Sequence, residues 1–203
     1  MFTTTAPAGP QKFPYPIVTF GDPILEKPSA KVEKFDASLK SLVADLFRAA
    51  IDLRGFGMAA PQLGVPLRVA VVDVSAGNDP AKRITLVNPE IVPQVCKPED
   101  VSFDDDDFQS VTEACFSLPG IRSALIRPMY VNVRAQKETG EPFEMMSEGI
   151  EAQAVCHEID HLNGVLFFEH LSRLKKDLIL TKIRKRMRRG QWISKGTEVS
   201  YRG

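Results

Sequence analysis

The chain has 203 residues, 43% of them hydrophobic and 26% charged, which is typical of a globular protein that buries a sizeable core. Its 26 basic and 26 acidic side chains cancel, so overall charge does not favour binding to DNA or to a membrane surface. No apolar run approaches the roughly 20 residues that cross a bilayer, which argues against a membrane-spanning helix.

The opening residues, rich in threonine, glycine and proline, predict a flexible lead over 1–14. They lack the apolar segment of a secretory signal and the arginines of a transit peptide, so we expect a cytoplasmic, bacterial protein rather than an organellar one. The three cysteines, an odd number, do not predict a disulfide framework. We therefore interpret Cys96, Cys115 and Cys156 as reduced thiols, each either a small buried residue or a metal ligand.

The first half of the chain predicts one helix and three strands. Asp36 has the residue type of an N-cap, and apolar residues repeat at helical spacing from Leu39 to Ala50 before Gly55 ends the helix. Apolar runs rich in β-branched residues predict strands over 17–20, 67–74 and 84–92. Pro89 indicates that the last of these is an edge strand or is bent.

The second half predicts a polar loop, a hairpin and two helices. The loop covers 93–110, the hairpin strands cover 129–134 and 142–146, and the helices cover 150–162 and 172–189. This order predicts an α+β fold of short antiparallel strands around a central helix, with a C-terminal amphipathic helix. We expect one domain over 15–190, which includes the last helix, and a tail over 191–203.

The sharpest motif is His157-Glu158-Ile159-Asp160-His161, in the predicted central helix. Histidines at i and i+4 lie on one face of a helix with Cβ atoms roughly 5–6 Å apart, so both can bind one metal ion. A glutamate directly after the first histidine lies near the same ion, where it can accept a proton from water. Two solvated surface histidines are the alternative, but the chain has only three histidines and two are in this motif. The motif therefore favours a metal site.

A catalytic site of this kind needs a third protein ligand and leaves one position open. In metzincin proteases the third ligand is a histidine at a fixed spacing, but Phe167 holds that position here and His170 is out of register. Cys156 adjoins the motif, yet successive helical residues point about 100° apart, which disfavours it as a ligand of the same ion. Cys115 is the best third ligand, although spacing alone does not select it.

The segment Gly55–Gln62 alternates glycines with apolar residues. It lacks the third glycine of the dinucleotide-binding fingerprint and the Lys-Ser/Thr pair of a phosphate-binding loop. Its glycines indicate a close approach of the backbone to a ligand, and Gln62 offers a side-chain amide. A structural turn is a fair alternative for this segment alone.

Taken together, three segments resemble the motifs of the peptide deformylase family, in the family's order and over about residues 13–189. The first motif, Gly-apolar-Gly-apolar-Ala-Ala-x-Gln, is complete as Gly55–Gln62. The second, Glu-Gly-Cys-Leu-Ser, is present over 113–117 with Ala114 for Gly and Phe116 for Leu. The third, Gln-His-Glu-x-Asp-His, is present over 156–161 with Cys156 for Gln.

The resemblance implies a metal-dependent hydrolase that removes the formyl group from the N-terminal formyl-methionine of newly made polypeptides and releases formate. It implies one divalent ion, Fe²⁺ in cells and Zn²⁺ or Ni²⁺ as substitutes, with the ligands Cys115, His157 and His161. It also implies roles for residues beside the ion: Glu158 as general acid and base, Gln62 and the backbone N–H of Phe116 as donors to the oxyanion, and Gly57, Phe56, Ile150 and Ala154 as substrate-binding residues.

Two departures from the motifs lie beside the implied ligand Cys115. At position 116 the implied donor is a main-chain group, so phenylalanine preserves it. At position 114 a Cβ costs on the order of 1 kcal/mol if the backbone needs a positive φ. Ala114 is therefore the departure from which we expect strain.

The sequence leaves open two other functions and two other interpretations of charged residues. The other functions are a small metallopeptidase and a non-enzymatic metal- or ribosome-binding relative, although a non-enzymatic protein has no need of Glu158. Arg127 and Asp160 form either a pair that supports the ligands or a surface ion pair. The last helix carries nine basic residues and one acid, which is either a solvated face or a surface for ribosomal RNA. Its apolar residues are predicted to dock it on the body: Leu174, Leu178, Ile179, Ile183 and Met187.

Overall fold

The computed structural model describes residues 17–92 and 107–192, which form an α+β fold. Its helices are α1 (Ala37–Asp52), α2 (Gly149–Leu162) and α3 (Arg173–Arg188). Its strands are β1 (Gly57–Ala59), β2 (Val69–Val72), β3 (Ile84–Val92), β4 (Phe108–Ala114), β5 (Arg122–Pro128), β6 (Tyr130–Gln136) and β7 (Pro142–Glu148). The lead predicted over 1–14, most of the loop predicted over 93–110, with Cys96, and nearly all of the tail predicted over 191–203 lie outside the described residues.

The strands form two antiparallel sheets. The larger has the order β1-β2-β3-β6-β7, so β1 and β7 are its edges, and the smaller pairs β4 with β5. Of the two alternatives that Pro89 indicated, the structure shows the bent strand, because β3 lies between two other strands and its pairing is irregular. The pairing register shifts between Val87 and Glu90, and Asn88 in this bend has a positive φ of 51°.

Helix α2 is the centre of the fold, as the sequence predicted. It contacts β1, β2, β6 and β7 of the larger sheet and β5 of the smaller one. Its apolar residues, among them Ala152, Val155 and Ile159, are buried in one cluster with residues of β2 and β6. Burial on both sides restricts the directions of the buried α2 side chains, among them Glu158 and His161 of the histidine motif.

Helix α1 begins where the sequence predicted its cap. The Asp36 carboxylate accepts hydrogen bonds from the N–H groups of Ser38 and Leu39, at 2.9 and 3.3 Å, and so satisfies two donors of the first turn. The apolar face of α1, including Val43 and Leu46, packs on β1 and β2. This packing holds the short edge strand β1 against the body.

Asp73 organises the turn after β2. Its carboxylate accepts hydrogen bonds from the N–H groups of Ser75 and Gly77, at 3.0 and 3.1 Å, and pairs with Arg83 at 3.4 Å. Burial alone would raise the pKa of Asp73, but the hydrogen bonds outweigh it and lower the pKa below its ordinary value. The Asp73 N–H donates to the carbonyl of Phe56 at 2.8 Å, so this turn also holds the residue before β1.

Four predictions about elements and helix packing need correction. Residues 17–20 belong to no strand, and the strand predicted over 67–74 is only Val69–Val72. The predicted polar loop ends early, because β4 begins at Phe108 and pairs with β5 in a hairpin that the sequence did not predict. Leu174 and Leu178 of α3 do not dock, since their exposed fractions are 71% and 62%, whereas Ile183 is fully buried.

Over residues 17–92 and 107–192, no helix is both long enough and apolar enough to cross a bilayer.

Candidate active site

The residues predicted as metal ligands meet at one point between α2 and the end of β4. Candidate ligand atoms of Cys115, His157 and His161 all lie within 4.8 Å of one another, and Cys115 Sγ is 3.1 Å from His161 Nε2. The two imidazole rings are 5.0 Å apart between centroids. Phe167, where a metzincin would have its third histidine, stacks on the His157 ring at 6.2 Å.

Cys115 is distinguished from Cys156 by its surroundings. Burial would raise the pKa of the Cys115 thiol, but the neighbouring histidines, His161 foremost, lower it to about 5. Burial raises the pKa of the Cys156 thiol to about 11, and Cys156 is not part of the ligand cluster. The structure thus brings Cys115, and not Cys156, to the histidines.

A buried carboxylate fixes the orientation of His157. Glu113 Oε2 lies 2.8 Å from His157 Nδ1, and hydrogen bonds help to lower the pKa of Glu113 to about 2 against the opposing effect of burial. A carboxylate can only accept, so Nδ1 carries the proton. The lone pair of His157 is then on Nε2, the nitrogen left for a metal ion.

Glu113 is itself held by a network of charged groups. Arg127 donates to both oxygens of Glu113, at 2.7 and 3.0 Å, and to Asp160 Oδ2 at 2.8 Å. Asp160 also accepts from His170 Nε2 at 2.7 Å. Arg127 is only 5% exposed, so its pairing with Asp160 is not a surface ion pair. The sequence did not assign roles to Glu113 or His170, and the only signal was the position of Glu113 in the second motif.

Glu158 is buried beside the three candidate metal ligands, and one of its carboxylate oxygens is unpaired. Its exposed fraction is 4%, and among the described residues Oε2 has no hydrogen-bond partner. Burial raises the pKa of the carboxyl to about 7. Gly57 lies against it, since a Cβ at that position would be 2.6 Å from Glu158 Oε1. The second glycine of the first motif is therefore needed for space.

The side-chain amide of Gln62 points toward the candidate ligand Cys115. Its Oε1 accepts from the N–H of Ala59 at 2.8 Å, which directs Nε2 toward Cys115 Sγ at 3.6 Å and Ser117 Oγ at 3.5 Å. Phe116 follows Cys115, and its ring occupies the space where a Cβ on Gly55 would be.

The expected strain at position 114 does not occur. Ala114 ends β4 in register with Arg122, and it is not among the described residues with a positive φ. A Cβ at this position therefore leaves the approach of the chain to Cys115 undistorted.

The predicted substrate-binding residues differ in exposure. Phe56 and Ile150 are 43% and 49% exposed, so both present apolar surface to solvent. Ala154 is buried one turn after Ile150, and Gly57 is buried in edge strand β1.

The donor set fits a metal ion of a definite kind. A thiolate and two imidazoles are ligands of first-row transition metals, whereas Mg²⁺ and Ca²⁺ prefer oxygen. Three protein ligands leave a coordination position open, which is the arrangement of catalytic rather than structural sites.

Comparisons with known proteins agree with this fold. The family model described as polypeptide deformylase matches residues 14–177. A peptide deformylase of Acidobacterium capsulatum is 42% identical over 177 residues, which cover 87% of this chain and 98% of that protein. One of Brucella suis is 36% identical over 170 residues, covering 84% and 91%.

Solved structures show the same similarity. A peptide deformylase from Legionella pneumophila superposes with a TM-score of 0.73 at 38% identity, covering 87% of this chain and 96% of that one. The enzyme from Thermus thermophilus superposes with a TM-score of 0.73 at 32% identity, covering 87% and 97%.

The fold and the donor set are those of a metal-dependent hydrolase. Because the family model spans most of the chain and the relatives match over nearly their whole length, the chain belongs to the polypeptide deformylase family. The reaction of that family is the metal-dependent removal of the N-formyl group from nascent peptides.

Proposed function

We propose that this chain catalyses its family's reaction on N-formylmethionyl polypeptides, with Cys115, His157 and His161 holding the metal ion and Glu158 carrying the proton. The observation that supports this most is the buried Glu158 carboxylate, one oxygen of which has no partner among the described residues and lies beside three ligand atoms within 4.8 Å of one another. A protein that only stores or senses a metal has no need of a buried carboxylate oxygen that neither binds the metal nor orients a ligand.

Family membership and donor chemistry support one divalent ion, Fe²⁺ in cells, with Zn²⁺ and Ni²⁺ as substitutes. When bound, such an ion lowers the pKa of water and polarises a carbonyl oxygen. The chain's own contribution is to keep its ligands in the right protonation state. Glu113 accepts a hydrogen bond from the Nδ1–H group of His157. The two histidines favour the thiolate form of Cys115.

Glu158 moves the proton. Its free oxygen accepts the proton of the water that attacks the formyl carbon and then delivers it to the departing nitrogen, which leaves as an amine while formate is released. The packing of Gly57 against Oε1 leaves Oε2 as the oxygen that does this. Burial of the carboxyl keeps other waters from competing for the proton.

Two donors hold the oxygen of the tetrahedral intermediate. The Gln62 amide already points into the site, and the backbone N–H of Phe116 adjoins the Cys115 ligand. Removing a donor of this kind costs about 3–4 kcal/mol in other acyl-transfer enzymes. Gln62 has little freedom to leave this position, because it is only 1% exposed and its Oε1 is bound to Ala59.

The methionine side chain binds beside Phe56, Ile150 and Ala154 in this proposal. Two exposed apolar side chains next to a buried reaction centre suit an apolar first residue. Gly57 belongs to an edge strand, so its backbone is placed to pair with the extended peptide.

The proposal includes a contact between helix α3 and the ribosome in the bacterial cytoplasm. Exposed basic residues, among them Arg184, Lys185 and Arg188, give the helix a positive surface that can neutralise phosphates. Reversing these three charges should weaken salt-sensitive co-sedimentation with ribosomes and leave turnover of a short peptide unchanged. Equal sedimentation of the variant and the wild type would show that the basic residues of α3 form only a solvated face.

The activity is tested by formate release from a short formyl-methionyl peptide, with the acetyl-methionyl peptide as control. We expect release from the formyl peptide, no cleavage of internal peptide bonds and loss of activity on metal removal. Internal cleavage would indicate a metallopeptidase, and absence of any reaction in the metal-loaded protein would indicate a non-enzymatic protein.

A further inference from the structure

The segment from Cys115 to Gly120, here the ligand loop, joins β4 to β5 and carries much of the proposed machinery. It supplies the ligand Cys115 and the N–H of Phe116, and Ser117 Oγ lies 3.5 Å from the Gln62 amide. Its hydrogen bonds include two turns, from Leu118 N to Cys115 O and from Ile121 N to Leu118 O, both 3.0 Å long. Contacts with residues from other parts of the chain also hold it against the body.

Residues near the C-terminus supply those contacts. Arg186 of α3 donates to the carbonyl of Pro119, and its Nη1 is so close that a Cβ on Gly120 would be 3.0 Å away. Lys182, one turn earlier, donates to the carbonyl of Gly120 at 3.3 Å. Two of the nine basic residues of the helix region therefore donate to carbonyl groups at the end of the ligand loop.

Trp192, just after α3, supports the beginning of the same loop through one intermediate residue. Its indole N–H donates to the carbonyl of Phe20 at 3.0 Å, and the N–H of Phe20 donates to the carbonyl of Ser117 at 2.8 Å. The chain before Phe20 also reaches Gln62, because Val18 N–H donates to the Gln62 carbonyl at 2.8 Å. The segment from Val18 to Phe20 thus contacts both the ligand loop and Gln62, the proposed oxyanion donor.

Buried residues of α3 and the segment after it share a hydrophobic core cluster with the ligand Cys115. Cys115, Ile183 and Trp192 are all buried in it, Trp192 with an exposed fraction of 7%. The Arg186 guanidinium lies 5.3 Å from the Trp192 ring centroid, which joins the two groups of contacts.

We propose that Arg186 and Trp192 are positioning residues for the deformylation reaction: together they hold the ligand loop so that Cys115 and the Phe116 N–H keep their places at the metal. This rests on the proposed function, which assigns the loop its roles. Neither residue touches the reacting atoms. Both act through hydrogen bonds to the loop or to the segment that supports it.

The test compares Arg186→Gln and Trp192→Phe with the control Arg173→Gln. The control removes the same charge from the same helix at an exposed position. Trp192→Phe keeps an aromatic ring in the core and removes the donor to Phe20. The measurements are kcat and KM for formate release from a short formyl peptide, the rate of metal loss to a chelator, and the thermal midpoint.

We expect kcat to fall about tenfold in Arg186→Gln and Trp192→Phe, with KM within about twofold of wild type, because a displaced loop affects the transition state more than substrate binding. Metal loss should be faster than in the control, and Arg186→Lys should recover part of kcat because it restores a donor. Equal kcat and equal metal loss in all three variants, per folded molecule, would overturn the proposal. If wild type released no formate, the proposed function would fail, while the rate of metal loss would still decide whether these residues position Cys115.

Discussion

The contact between Gly57 and Glu158 gives a prediction whose size follows from the structure. In Gly57→Ala the new Cβ would be 2.6 Å from Glu158 Oε1 and 2.8 Å from its Cγ, both shorter than real Cβ contacts. To reach ordinary contact at 3.4 Å the carboxylate must retreat by about 0.8 Å. The carboxylate is buried in a packed helix, so the retreat displaces the proposed proton carrier from its place.

We expect kcat for formate release to fall roughly 10²-fold in Gly57→Ala, the loss that a misplacement of about 1 Å produces. KM should change little if the effect acts through Glu158, and should rise instead if Gly57 serves only to bind the peptide. Overpacking should also cost about 1–3 kcal/mol of stability. Gly190→Ala is the control, because its φ of 65° strains an alanine but no atom of the described residues lies within 4 Å of the new Cβ. A kcat for Gly57→Ala within about twofold of this control would refute the reasoning.

Cys115→Ala should abolish tight metal binding while Cys156→Ala keeps it, measured as metal per folded protein, and the reverse pattern would overturn the ligand assignment. Glu113→Gln should lower the free energy of unfolding by on the order of 3 kcal/mol, because it removes the charge of a buried partner of Arg127. A loss below about 1 kcal/mol in urea titrations would show that this pair contributes no more to stability than an ordinary surface ion pair. Asp73→Asn should destabilise the protein at pH 7, and its deficit should shrink as the pH falls below the ordinary value of 3.8, because a lowered pKa stabilises only while the carboxylate is ionised. A deficit that is constant with pH would show that the charge of Asp73 contributes nothing.

The helices could be predicted from sequence because each carries a local signal. Asp36 caps α1, and the apolar spacing that follows it matches the buried face that the structure shows. The predicted bounds of α2 and α3 differ from the structure by one residue at either end at most. Strand β3 was predicted with its bounds, because a long β-branched run with a proline has few other interpretations.

The β4–β5 hairpin was not predicted because its buried face is partly charged, which weakens the alternation of apolar and polar residues that indicates a strand. Its outward residues include Ser110, Thr112 and Ala124, which also occur in loops. Glu113 and Arg127 are buried because they pair with each other across the hairpin and with His157 and Asp160 of α2. Sequence patterns predict that such residues are surface charges. The pairing that allows them to be buried forms only in the tertiary structure.

The same limit applied to helix α3. Nine basic residues suggested one continuous charged surface, but Arg186 and Lys182 bind loop carbonyls. Leu174 and Leu178 have helical spacing and are nevertheless exposed, because the body of the protein contacts α3 further along, at Ile183. Periodicity identifies an amphipathic face but not how much of its length is covered.

The most direct test of the account is Glu158→Gln, assayed for formate release with metal content measured on the same sample. Glutamine keeps the size of the side chain and its hydrogen-bonding capacity but cannot accept the water's proton. We expect metal content and fold to be retained, KM to change little, and kcat to fall about 10²–10⁴-fold, the range for loss of a positioned general acid and base. Formate release within a few-fold of wild type, with full metal content, would show that Glu158 does not carry the proton and would contradict the mechanism.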